Sequence, residues 1–116
     1  MSLNIQIFGT KKCQDTRKAE RYFKERGIKY HFKDLAEFGI SKGEFENIAA
    51  VIPPEELINR DGQQFKKRNL EYIKFNIREE LVADALLLKT PLVRNGRKVT
   101  CGFVPEEWKK WIDESK

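Results

Sequence analysis

Residues 4–19 read NIQIFGTKKCQDTRKA, and this stretch decides the fold. From Asn4 to Phe8 polar and apolar residues alternate, the period of a strand with one buried face. Gly9-Thr10-Lys11-Lys12 supplies a turn. From Gln14 the period changes. Ala19, Tyr22 and Phe23 stand at i, i+3, i+4 and share one face of a helix running to about Arg26. Gly27 follows at the position where a helix C-terminus favours glycine. Lys29 to Asp34 alternates again and predicts a second strand. A strand, a helix and a strand in this span imply a crossover between two parallel neighbours.

The middle of the chain reads as helices with breaks. Ser41-Lys42-Gly43-Glu44 matches a capping box ahead of Phe45, Ile48 and Ala49. Pro53-Pro54 ends that helix and opens another from Glu55 to about Asn59, with Gly62 after it. One further helix is expected from Arg78 to Leu88, until Thr90-Pro91 breaks the chain. Leu92-Val93-Arg94 and Lys98-Val99-Thr100-Cys101 flank Asn95-Gly96, a strong hairpin signal. Pro105 to Glu114 predicts a last helix with Trp108, Trp111 and Ile112 on its packing face. The simplest assembly is α/β: one domain over residues 1–116, a four-stranded mixed sheet flanked by helices, and an inserted helical segment at about residues 40–89.

Composition narrows the function classes. The 116 residues, 40% of them hydrophobic, suit one globular core. The longest apolar run, Ala85-Leu86-Leu87-Leu88, cannot span a bilayer, and no cleavable leader is visible, so a cytoplasmic monomer without membrane contact is expected. The net charge of +5 is compatible with anionic partners. Basic and acidic residues are interleaved, however, so direct nucleic-acid binding is not expected, and Lys66-Lys67-Arg68 reads as a solvated loop. Cys13 and Cys101 form no CxxC pair, and no His stands at metal spacing from either, so no metal is expected. The single His31 reads as a surface or packing residue.

Cys13 falls where the first strand gives way to its helix. Unpaired N–H groups at a helix N-terminus favour a thiolate over a thiol. Lys11, Lys12 and Arg17 act in the same direction, and Asp15 opposes them. The polar flanks argue against a cysteine that merely packs. Cys13 is therefore the candidate nucleophile.

With Ile7 to Ala19 read as a whole, the chain resembles the glutaredoxin-linked arsenate reductase family, which also contains the Spx-type transcription regulators. Further likenesses are Leu57-Ile58-Asn59-Arg60, Thr90-Pro91-Leu92-Val93 and Gly102-Phe103. The resemblance implies a thioredoxin-like fold and a cis Thr90-Pro91 peptide beside the thiol. It implies a thiol oxidoreductase with no bound cofactor, in which glutathione, glutaredoxin or thioredoxin is the external thiol partner. Arg17, by its place beside the thiol, is expected to help lower the Cys13 pKa; by the resemblance Arg60 holds an anionic group of the substrate and Pro91 shapes the substrate groove, with Thr90 before it as a further candidate substrate-binding residue. The alternative the resemblance carries is a regulator that binds the RNA polymerase alpha subunit.

Departures from the family pattern sharpen these expectations. Of three arginines that hold an oxyanion, only Arg60 is matched; Thr90 and Gly102 occupy the other two places, and Arg94 and Arg97 stand elsewhere in the hairpin. Arsenate is therefore doubtful as a substrate. Thr16 stands where Spx-type proteins carry the second cysteine of a CxxC switch. It could donate to the thiolate or cap the helix. Cys101 reads either as a resolving thiol or as a buried strand cysteine, with the second favoured.

Overall fold

The computed structural model describes residues 3–115. Four strands form one sheet in the order β2-β1-β3-β4: β1 (Ile5–Gly9), β2 (Tyr30–Asp34), β3 (Leu92–Asn95) and β4 (Lys98–Cys101). β1 runs parallel to β2 and antiparallel to β3, and β3 and β4 form the hairpin. Helix α1 (Gln14–Glu25) makes the crossover from β1 to β2. This is the thioredoxin-like arrangement. Gly96 turns the hairpin with φ 62°, and Gly27 follows α1 with φ 68°, both in the left-handed region that favours glycine.

The period of two along the strands sorts residues onto two cores. Ile5 and Ile7 of β1, with Val93 opposite Ile7, bury against Ala19 and Phe23 of α1 and against Trp108 and Trp111 of α7 (Pro105–Glu114). On the other face, Phe8 and its partner Leu92 pack against the inserted helices. Thr100 and Cys101, neighbours on β4, divide the same way. Thr100 accepts a hydrogen bond from Trp108 Nε1 at 2.8 Å under α7, whereas Cys101 pairs with Leu92 on the insertion side.

The inserted segment consists of short pieces. α2 (Leu35–Phe38) follows β2 directly, with the Asp34 side chain accepting from the Ala36 N–H. α3 (Lys42–Ala49) carries the expected capping box from Ser41 and Glu44. α4 covers Pro54–Leu57, two residues shorter at its end than the sequence suggests. α5 (Gln63–Lys67) lies where a loop was expected; Arg68 ends it and pairs with Glu80 and Asp84. The expected Arg78–Leu88 helix is two elements, α6 (Ile77–Ala83) and a 3-10 turn over Ala85–Leu87. Asp84 divides them, because its side chain accepts the Leu86 N–H and thereby competes with continuation of the helix.

The middle of this insertion is stitched to its C-terminal end. Asn59 N–H donates to Leu87 O at 2.8 Å, and Lys89 N–H donates to Leu57 O at 2.7 Å, around an isolated bridge between Ile58 and Leu88. The chain then enters the cis Thr90-Pro91 peptide and β3. This stitch sets Asn59 and Lys89 beside Thr90, in the segment that leads into β3.

Candidate active site

Cys13 is the residue that caps α1. The turn ahead of it closes with Cys13 N–H donating to Thr10 O at 3.2 Å, and Arg17 N–H begins the helix by donating to Cys13 O at 3.2 Å. Thr16 therefore does not cap the helix; it lies inside the first turn, fully buried. Its Oγ1 is buried without a hydrogen-bond partner, so its hydroxyl hydrogen remains free for the sulfur. Gly9, at the end of β1, makes this burial possible. A Cβ at Gly9 would come within 2.6 Å of Thr16 Cγ2.

The other side of the thiol faces the cis-proline strand. Thr90 Oγ1 donates to Cys13 Sγ at 3.1 Å, and the Cys13 thiol donates to Thr90 O at 3.7 Å. Burial opposes ionisation of the thiol, but the unpartnered Thr16 hydroxyl, the hydrogen bond from the Thr90 hydroxyl and the backbone N–H groups of Thr16 and Asp15 together outweigh it. The net effect holds Cys13 below an ordinary thiol.

Arg17 and Arg60 occupy other places than the sequence suggests. Arg17 Nε donates to Lys11 O at 2.7 Å, so its side chain braces the turn before the cysteine. The thiol is tuned by hydroxyls and backbone donors instead. The Arg60 guanidinium lies over the rings of Phe65 and Phe75, 5.6 and 6.0 Å from their centroids, and lines neither hollow at Cys13. Two aromatic side chains from the insertion hold it by cation–π attraction.

Two hollows meet at Cys13, with Asn59 and Thr90 shared between them. One, of about 630 Å³, is lined by Glu56, Asn59, Lys89, Cys101 and Gly102. The other runs past Lys11 and Lys12 toward Asp34, Gln63 and Gln64. Cys101 thus shares a groove with Cys13, and both thiols are free. Burial pushes Cys101 up, Lys89 pulls it down and Glu56 raises it, for a net rise. The two cysteines are therefore unequal: one is set to ionise and the other to stay protonated. Glu56, Asn59 and Lys89 were missed by the sequence reading. The place of Lys89 directly before Thr90-Pro91, and that of Asn59 directly before Arg60, are the only sequence signals for them; Glu56 and Asn59 reach the groove through the stitch across the insertion.

Comparison with known proteins gives the family and the fold. The model of the ArsC family matches residues 8–111, and the chain belongs to that family. It is similar to the uncharacterized protein YusI of Bacillus subtilis, with 25% identity over 93% of this chain and 98% of that one. It is 24% identical to the global transcriptional regulator Spx 2 of Oceanobacillus iheyensis over 95% of this chain and 84% of the regulator. Among solved structures, an arsenate reductase (ArsC) related protein from Brucella melitensis is 26% identical with a TM-score of 0.68, covering 97% of both chains. An arsenate reductase from Vibrio cholerae shares the fold at 16% identity and a TM-score of 0.77, over 95% of this chain and 98% of that one.

Proposed function

We propose that this ArsC-family chain is a monothiol oxidoreductase in which Cys13 thiolate is the nucleophile and an external thiol completes the cycle. The observation that carries the reading is the Thr16–Cys13–Thr90 arrangement. A buried hydroxyl with no other partner and a second hydroxyl at 3.1 Å both favour the ionised sulfur.

The reaction that fits is thiol–disulfide exchange. Cys13 thiolate attacks one sulfur of a substrate disulfide. The substrate S–S bond breaks, a Cys13–sulfur bond forms, and the departing thiolate takes a proton. A small external thiol, glutathione for example, or the thiol of a glutaredoxin or thioredoxin, then attacks the Cys13 sulfur of the mixed disulfide, which releases the second half of the substrate as a thiol and leaves Cys13 bonded to the external sulfur; a second external thiol attacks that external sulfur and expels Cys13. Two external thiols are oxidised to one disulfide, the substrate disulfide is reduced to two thiols, and Cys13 returns as thiolate. Pro91 is buried next to Thr90 and lines neither hollow at Cys13. Arsenate is disfavoured as a substrate because Thr90 and Gly102 offer no guanidinium, and Arg60 is engaged with Phe65 and Phe75. No bound cofactor enters this cycle, and it suits the cytoplasmic thiol pool.

The test is intact-mass analysis of the reduced protein after brief exposure to bis(2-hydroxyethyl) disulfide at neutral pH. One adduct mapping to Cys13 is the expected result. An adduct that maps to Cys101 instead overturns the assignment.

A second reading is favoured by the similarity to Spx 2, a global transcriptional regulator. In it the chain binds the RNA polymerase alpha subunit and its thiol chemistry is secondary. Retention on immobilised alpha C-terminal domain at low salt is its test, because electrostatic contacts are least screened there. Absence of retention removes it.

A further inference from the structure

The groove that joins Cys13 to Cys101 carries two side chains of opposite charge, Glu56 and Lys89. Both act on the Cys101 thiol, in opposite directions, so both charges lie near the same stretch of wall. They are nonetheless not paired. Neither makes a salt bridge among the described residues. Their places are set by the backbone: Glu56 lies on α4, and Lys89 lies in the segment stitched to the end of α4, with Lys89 N–H on Leu57 O at 2.7 Å. Asn59 adds an amide between the stitch and the thiol.

A pair of opposite, exposed and unpaired charges lining the groove that opens on Cys13 matches a ligand that presents an ammonium and a carboxylate together. The chain's net charge of +5 cannot supply that selectivity. Net charge draws any anion, whereas a zwitterion has no net charge to be drawn. We infer that this groove is the binding site for the α-amino-carboxylate end of a small thiol or its disulfide, with Lys89 taking the carboxylate and Glu56 the ammonium. The inference rests on the monothiol reading above and names its small thiol by class. Two sources share this chemistry: cysteine itself, and a γ-glutamyl thiol whose α-amino-carboxylate lies farther from the sulfur.

The sulfur chemistry stays that of the general cycle. Cys13 thiolate attacks the disulfide of the bound ligand; the new bond joins Cys13 to one half, and the other half leaves as a thiol after taking a proton. What Lys89 and Glu56 contribute is the position of the attacked sulfur. Substitution at either leaves the stitch intact, because the hydrogen bonds there are between backbone groups.

The test measures second-order rates of Cys13 mixed-disulfide formation with four reagents: L-cystine, oxidised glutathione, cystamine and bis(2-hydroxyethyl) disulfide. Cystamine carries ammonium groups without carboxylates, and the hydroxyethyl compound is neutral. The readout is each rate divided by the hydroxyethyl rate in the same variant, which cancels any change in the thiol itself. One of the two reagents with α-amino-carboxylate ends is expected to exceed the neutral one by about tenfold, the worth of one charge-assisted contact; oxidised glutathione also carries two glycine carboxylates, so for it the deciding readout is loss of the preference in Glu56→Ala, which net charge would not produce. Which of them does so shows how far the charges lie from the sulfur. Lys89→Ala and Glu56→Ala each abolish that preference, Lys89→Arg keeps it, and Lys89→Glu transfers it to cystamine. Equal ratios for all four reagents in the wild type, or a preference that survives both alanine substitutions, overturn the inference. Absence of reaction at Cys13 with every reagent, the neutral one included, instead overturns the monothiol reading beneath it.

Discussion

Thr90 Oγ1 donates to Cys13 Sγ at 3.1 Å, joining the residue before the cis-proline to a cysteine 77 positions earlier. A donor to sulfur stabilises thiolate more than thiol, so this contact is tuning as well as packing. Thr90→Val keeps the shape and removes the donor. It is expected to raise the Cys13 pKa and slow alkylation several-fold at pH 6.5, where the thiolate fraction limits the rate. Thr90→Ser restores most of the effect. Stopped-flow iodoacetamide kinetics across pH measure both.

The Thr16 hydroxyl acts on the same sulfur from within α1, and Gly9 makes room for it. A methyl group at Gly9 collides with the stiff, β-branched Thr16 side chain, 2.6 Å from Cγ2 and 3.0 Å from Cβ. Gly9→Ala is therefore expected to raise the Cys13 pKa and to destabilise the fold by about 1–3 kcal/mol through overpacking. Gly9→Ala combined with Thr16→Ser relieves part of the stability loss, read by urea unfolding.

The two cysteines are expected to titrate on opposite sides of an ordinary thiol, whose pKa is about 8.5. The sign follows from the groups around each. Donors from Thr16 and Thr90 lower Cys13, so its alkylation approaches its full rate below that value. Burial raises Cys101, so its alkylation still climbs above it. Separate pH profiles for Cys13→Ser and Cys101→Ser proteins check the order. Coincident midpoints contradict it.

Trp108 and Thr100 anchor the opposite face of the sheet. Trp108 Nε1 donates to Thr100 Oγ1 at 2.8 Å in the core under α7. Thr100→Val leaves a buried N–H without an acceptor and is expected to cost about 1–3 kcal/mol. The midpoint of urea unfolding should fall while Cys13 alkylation stays as in the wild type.

The sheet and its flanking helices were legible because period and punctuation agree there. Ile5 and Ile7 alternate, Ala19 and Phe23 share a face, Asn95-Gly96 turns the hairpin, and Trp108 and Trp111 line α7. The insertion was less legible. Asp84 looks like any polar residue in a helical pattern, yet its carboxylate accepts the Leu86 N–H and also holds Gln64 and Arg68, which ends α6. Cys13 could be read from its polar flanks and its place before α1. Its Thr90 partner entered through a family resemblance, because no local pattern brings residues 77 apart together. The expected roles of Arg17 and Arg60 came from charge and resemblance. Local acceptors and rings decided their places instead: the Lys11 carbonyl for Arg17, and Phe65 and Phe75 for Arg60. Glu56 and Lys89 are brought to one groove by a backbone stitch between the middle of the insertion and its C-terminal end, and side-chain periodicity carries no trace of it.

The central claim is that Cys13 works as a single thiol, resolved from outside the chain. Its most direct test is steady-state reduction of bis(2-hydroxyethyl) disulfide with excess glutathione by wild type, Cys13→Ser and Cys101→Ser. Full loss of turnover in Cys13→Ser, with Cys101→Ser within about twofold of wild type, is the predicted result: a bound on the free energy of about 0.4 kcal/mol. Loss of turnover in Cys101→Ser contradicts the account, because it makes Cys101 the resolving thiol.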